Sequence, residues 1–237
     1  MWIKKYFSLI FLCLVFVACF LTSGESVKVM KRVFSREAPE TEITIVIDPG
    51  HGGRDPGKIG VNGALEKDIN LSIALKLRDL LQEKGIKVIM TREEDVGLYD
   101  ENDSNKKRAD LQKRVDIINS SGAIFAISVH QNSFPQESCR GAQVFYHSES
   151  KEGKKLAEMI QAQLKETIND GNHRQAKANS SYYMLAKTSC PLVIVECGFL
   201  SNQREAALLL DEEYQKKMAW GIHQAILKYI NNNKPEA

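Results

Sequence analysis

Apolar residues along this chain follow two alternating rhythms. Short runs rich in Ile, Val, Leu and Phe occur at 43–48, 86–90, 123–129, 143–146 and 192–195. Runs of that length and type read as buried strands. Between them, Ile69, Ile73, Leu77, Leu80 and Leu81 recur at spacings of three and four. That period predicts a helix over 66–84, ended by Gly85. Leu111, Val115 and Ile118 mark a second helix, ending near Gly122, and Leu156, Ile160 and Leu164 mark a third. Two more are expected at about 203–210 and 212–231. Residues 182–186 are expected to form a further short strand. Alternating strands and helices predict an α/β fold. We expect a single domain over 42–232, with a mostly parallel twisted sheet of about six strands flanked by helices. Residues 49–63 and 97–107 read as loops, and 233–237 as a tail.

The start of the chain follows neither rhythm. Lys4 and Lys5 precede an apolar run from Tyr6 to Leu21, broken only by Ser8. A basic start before such a run is the pattern of a secretory signal. The run is short for a bilayer span, which needs about 20 apolar residues. Residues 1–24 are therefore read as a signal peptide or N-terminal membrane anchor, with the signal favoured. Cys19 follows Val17-Ala18 as in a lipoprotein acylation site, but Phe16 stands where Leu is usual, so lipidation is not expected. Residues 25–41 are polar and read as a linker.

Composition narrows the class. Of 237 residues, 43% are hydrophobic and 26% charged, as in an ordinary globular protein. The net charge is +2 without a basic block or stripe, so nucleic acid is not an expected partner. Three cysteines remain after the leader. Cys190 and Cys197 lie on what reads as one strand, where extension would separate them by roughly 23 Å, too far for a disulfide. Cys139 is able to pair with one of them, but three unpaired thiols are the simpler reading.

Chemistry enters at the strand ends. The first strand runs into Asp48-Pro49-Gly50-His51-Gly52-Gly53, the third into His130-Gln131-Asn132, and the last into Glu196-Cys197-Gly198. In open α/β sheets, sites form outside the carboxyl ends of the strands. Glu66 opens the first helix just across the Gly-rich loop from His51. Two imidazoles and a carboxylate are a known donor set for catalytic zinc, with one position left to water. A second carboxylate is then needed to take a proton from that water and pass it to a leaving amine. Chemistry alone leaves Glu66 and Glu196 interchangeable in these roles. Asp48 is a third candidate, though the Pro49-Gly50 turn argues that it caps the loop. Glu196 follows four apolar residues, and a buried carboxylate there must be paired or functional. His147, His173 and His223 have no partner pattern and read as surface or core residues. Tyr182 and Tyr183 read as strand packing before sugar stacking.

These segments, together with Leu65-Glu66-Lys67-Asp68, Thr91-Arg92, Arg114-Val115, Asn119, Ser128-Val129-His130 and Val195-Glu196-Cys197-Gly198-Phe199-Leu200-Ser201-Asn202, resemble the zinc-dependent N-acetylmuramoyl-L-alanine amidases. The resemblance spans about 43–230. It implies one Zn²⁺ ion held by His51, Glu66 and His130, with Glu196 as the catalytic base. Asn132 and Arg114 are then expected to orient the site or the substrate. Gln131 departs from the small residue usual at its position, and is expected to narrow the pocket. Within the family, the chain resembles the short, germination-specific enzymes that process the spore cortex. Peptidoglycan is the implied substrate, met outside the cytoplasmic membrane, in the cell wall or forespore intermembrane space. With no wall-binding repeat in the sequence, an accessory or activator protein at the membrane is an expected partner. No long insertion suggests a lid. The alternatives are another zinc-dependent cell-wall peptidase, and a non-catalytic wall-assembly protein.

Overall fold

A computed structural model of the protein describes residues 2–22 and 43–233. The expected linker, 25–41, lies outside the described residues, as does 234–237. The chain divides into two units, Met1–Glu42 and Ile43–Ala237. In the first, helix α1 spans Trp2–Thr22. Among the described residues, no helix is long and apolar enough to cross a membrane.

The second unit contains the whole α/β domain. Its elements are β1 (Thr44–Pro49), α2 (Glu66–Gln82), β2 (Lys87–Met90), α3 (Lys106–Ser120), β3 (Phe125–Asn132), β4 (Gln143–Tyr146), α4 (Lys151–Ile168), β5 (Lys177–Ala178), α5 (Tyr183–Lys187), β6 (Leu192–Phe199), α6 (Gln203–Leu208) and α7 (Glu212–Asn232). The sheet order is β2-β1-β3-β6-β4-β5. All neighbours are parallel except β4 and β6. A parallel return needs a crossover of a dozen or more residues. Only the loop 133–142 separates β3 from β4, so β4 runs the other way.

The strands read as continuous apolar runs because both faces of the sheet are covered. Ile45, Ile47, Phe125, Ile127, Val129, Val193 and Val195 face one side, where they meet α2, α4 and α7. Val46, Ala126, Ile194 and Leu192 face the other, with Val115 and Ile118 of α3 and Met184 and Leu185 of α5. Each fully buried Ile, Val, Leu or Phe contributes about 1.5–3 kcal/mol.

The structure corrects the strand expected at 182–186, which is the helix α5. Asn179 Oδ1 accepts hydrogen bonds from the N–H groups of Ser181 and Tyr182, which winds the chain into a turn. Met184 and Leu185 then enter the same core cluster from consecutive positions. A strand, whose side chains alternate, would send one of them to solvent. The sixth strand is instead the exposed pair Lys177–Ala178. Cys139, Cys190 and Cys197 are free thiols.

From β1 the chain passes through α2 to β2 at the sheet edge, then returns over the opposite face through α3 to β3. The carboxyl ends of β1 and β3 therefore flank a point where the strand order reverses, the usual place for a crevice.

Candidate metal centre

The loop after β1 is shaped by a buried charge pair. Asp48 and Arg114 meet at 2.6 Å and are almost wholly enclosed. Asp48 also accepts hydrogen bonds from Thr91 Oγ1 at 2.6 Å and Ser128 Oγ at 2.7 Å. Burial alone would raise its carboxyl, but Arg114 and the two hydroxyls outweigh it and hold it at about 2. Asp48 therefore does not cap the loop, as the sequence had suggested. It anchors Arg114, which donates to the carbonyls of Pro49 at 2.8 Å and His51 at 2.6 Å, while Asp110 takes its Nε at 2.6 Å. Arg92 adds a second brace, donating to the carbonyls of Pro49, Gly50, Lys67 and Glu94. In the loop that these guanidinium groups brace, His51 sits at φ 63, a left-handed conformation uncommon for a non-glycine residue.

Loss of one partner from a buried ion pair costs about 3–5 kcal/mol. Arg114→Leu is expected to destabilise the domain by that amount in urea unfolding. The pH dependence has a definite sign. Unfolded Asp48 ionises near 3.8 and folded Asp48 near 2, so its stabilisation is present above pH 3.8 and is lost as pH falls through 2. That stabilisation is about 2 kcal/mol.

The braced loop carries His51 to Glu66 and His130. One potential ligand atom from each of the three lies within 4.8 Å of the others. Glu66 Oε1 is 2.9 Å from His130 Nδ1 and 3.3 Å from His51 Nε2. Glu66 begins α2, where no side chain caps the helix. It also accepts from the backbone N–H groups of Gln131 (to Oε1, 3.1 Å) and Lys58 (to Oε2, 2.8 Å), and from the Asn70 amide (to Oε1, 3.5 Å). Burial opposes its ionisation, but the two imidazoles overcome it and drive the carboxyl well below the usual range. Burial would likewise lower His130, and Glu66 reverses the sign, so His130 is raised. A carboxylate and two imidazoles drawn together by protons are the arrangement a divalent cation would take over. Glycines make the approach possible. A Cβ on Gly50 would lie 2.2 Å from the His130 ring, and one on Gly57 would lie 2.5 Å from Glu66 Oε2.

Asp55 accepts from His51 Nδ1 at 2.8 Å. A proton held on Nδ1 leaves Nε2 free as a donor atom. Carboxylates in that position orient metal-binding histidines, and their loss lowers metal affinity about 10–100-fold. Asp55→Asn is expected to weaken zinc binding by that factor, read by competition with a chromogenic chelator. Sequence reasoning missed Asp55. The signal was present in its position four residues after His51, across a tight turn.

Glu196 sits opposite. In the register of β3 and β6 it is level with His130. Level residues on neighbouring strands point to the same face. A bulge follows between His130 and Asn132, a feature that re-aims side chains beside active sites. The Glu196 Oε2 atom is buried without a hydrogen-bond partner. Burial and the charge of Glu66 raise its carboxyl to about 7, against the opposing pull of the two histidines.

All four residues line one cavity of about 540 Å³. Asn132, Tyr182, Tyr183 and Met184 also line it. Gln131 is there too, turned so that its amide donates to Asn70 Oδ1 at 3.1 Å. Arg114 is not among the residues that line this cavity; its guanidinium is committed to the loop that carries His51, in keeping with an orienting role toward the site. His147 and His173 lie apart from it, and His223 is buried beside Trp220 on α7.

Comparison with known proteins agrees with this geometry. The model of the N-acetylmuramoyl-L-alanine amidase family matches residues 45–228. The germination-specific N-acetylmuramoyl-L-alanine amidase of Bacillus subtilis is 43% identical over 189 residues, 78% of this chain and 79% of that protein. The CwlD amidase of Clostridioides difficile, solved in complex with the GerS lipoprotein, superposes with a TM-score of 0.78 at 42% identity, covering 81% of this chain and all of that one. An N-acetylmuramoyl-L-alanine amidase from Clostridium difficile 630 gives 0.72 at 30% identity, with 81% and 98% covered. A match of this extent, on a chain whose His51, Glu66, His130 and Glu196 share one cavity, places it in the N-acetylmuramoyl-L-alanine amidase family.

Proposed function

We propose that this amidase cuts the bond between N-acetylmuramic acid and L-alanine in spore-cortex peptidoglycan, with His51, Glu66 and His130 holding one zinc ion and Glu196 acting as base. The observation that carries the reading is a Glu196 carboxyl whose buried Oε2 has no hydrogen-bond partner, lining the same cavity as a His-Glu-His cluster. A zinc ion bound there would polarise the scissile carbonyl and ease deprotonation of the attacking water. Glu196 receives the proton from water as the new C–O bond forms. It returns that proton to the alanine nitrogen as the C–N bond breaks. The raised carboxyl suits a group that both takes and gives a proton near neutrality. Asn132, at the bulge and lining the same cavity, would hold the substrate.

The germination role follows the germination-specific B. subtilis relative. Residues 1–24 would carry the chain to the outer side of the cytoplasmic membrane, as a cleaved signal or a retained anchor. The 25–41 linker then separates that leader from the catalytic domain. An accessory protein at the membrane fits the lipoprotein complex formed by the C. difficile relative. Digestion of purified peptidoglycan with and without chelator, read by mass spectrometry, tests the reading. Chelator-sensitive release of whole stem peptides from muramic acid is expected. Shortened stems still attached to the sugar would identify a peptidase instead.

A further inference from the structure

We propose that Lys58 and Lys107 select stem peptides that carry a free carboxylate beside the scissile amide. The inference rests on the amidase reading and names a substrate feature within it. Both lysines line the cavity that holds His51 and Glu196. They reach it from separate elements, Lys58 from the loop between β1 and α2, Lys107 from the first turn of α3. Lys58 is fixed in place by its own backbone N–H, which donates to Glu66 Oε2 at 2.8 Å. Lys107 stands close enough to act on the Asp55 carboxylate.

Among the described residues, neither ammonium makes a hydrogen bond or ion pair. Nearby lysines differ. Lys67 is held by Asp95 at 2.6 Å, and Lys106 by Glu101 at 2.6 Å. The acids around the metal cluster do not satisfy the cavity lysines either. Asp55 is taken up by His51 and the Gly57 N–H, and Glu66 by the two imidazoles, two backbone groups and the Asn70 amide. Two cations with no hydrogen-bonded or ion-paired acid therefore line the cavity in which the amide must lie. A substrate that brings its own anion matches them. The stem peptide does so when the carboxylate of its second residue is free, and does not when that group is amidated.

The test uses two synthetic muramyl peptides that differ only in whether the second residue carries a free carboxylate or an amide. With the zinc-loaded full chain, kcat/KM is expected to be about tenfold higher for the acid, the sum of two partly screened charge contacts. In K58Q/K107Q the ratio falls toward one, chiefly through a higher KM on the acid. The variant K58R/K107R keeps the preference, and added salt weakens it in the parent. Both side chains are exposed, so zinc content and melting temperature should match the parent's. Equal rates on the two substrates in the parent, or an unchanged ratio in the glutamine variant, would overturn the proposal. Cleavage of neither substrate by the parent would instead defeat the amidase reading on which it stands.

Discussion

Glu196→Gln lowers the turnover of peptidoglycan by roughly a hundredfold to ten-thousandfold, the usual contribution of a positioned general base. Its zinc content stays at the parent's level, because Glu196 is not among the three clustered ligands. Glutamine keeps the shape and loses the ability to take a proton. In the parent, kcat/KM should fall as pH drops through the carboxyl's own ionisation, since the base works only when deprotonated. That acid limb lies at or below about pH 7, because a nearby cation favours the ionised form. The limb should be missing from the residual activity of the variant. Stability offers an independent view in the metal-free protein. Unfolded Glu196 ionises near 4.5 and folded Glu196 near 7, so the folded state holds the extra proton between those values. Parent stability therefore declines as pH rises across that window, by about 3 kcal/mol in total. Metal-free Glu196→Gln lacks this part of the slope. A variant that digests wall as fast as the parent would remove Glu196 from the mechanism.

His130→Ala is expected to abolish both metal and activity. Elemental analysis should read one zinc per chain in the parent and close to none in the variant. The alanine removes the imidazole 2.9 Å from Glu66 and leaves only His51 and a buried carboxylate. Treatment of the parent with chelator should reproduce the loss of activity, and added zinc should reverse it. Because the ion binds only the folded arrangement, loading also raises stability, by about 4 kcal/mol when free zinc exceeds the dissociation constant a thousandfold. Retention of full activity by a metal-free preparation would contradict the assignment of all three ligands.

Much of this was legible in the sequence because parallel sheets write their sites in a regular place. An apolar run that stops at an Asp, His or Glu marks a carboxyl end, and β1, β3 and β6 each carry such a mark. The fold class was legible for the same reason, since runs buried on both faces contrast sharply with amphipathic helices. What escaped was set by tertiary pairing. The strands β3 and β6 continue through His130 and Glu196 to Asn132 and Phe199, because they pair with each other beyond the point where their apolar character ends. Asp48 was misread because a Pro-Gly turn suggests a local cap, whereas its partners Thr91, Arg114 and Ser128 arrive from three distant segments. The helix α5 was misread because Tyr-Tyr-Met-Leu-Ala suits either period, and the Asn179 turn decided it. Arg92 carried no sign of its role, because its partners are all carbonyls.

The strand that brings Glu196 is the last to be made, yet it lies in the middle of the sheet, between β3 and β4. A nascent chain that has emerged only as far as β4 already contains His51, Glu66 and His130, but it has no proton acceptor beside them and an open seam where β6 belongs. The last strand in the chain thus supplies both the centre of the sheet and the carboxylate level with His130, so truncation before residue 192 would remove the two together.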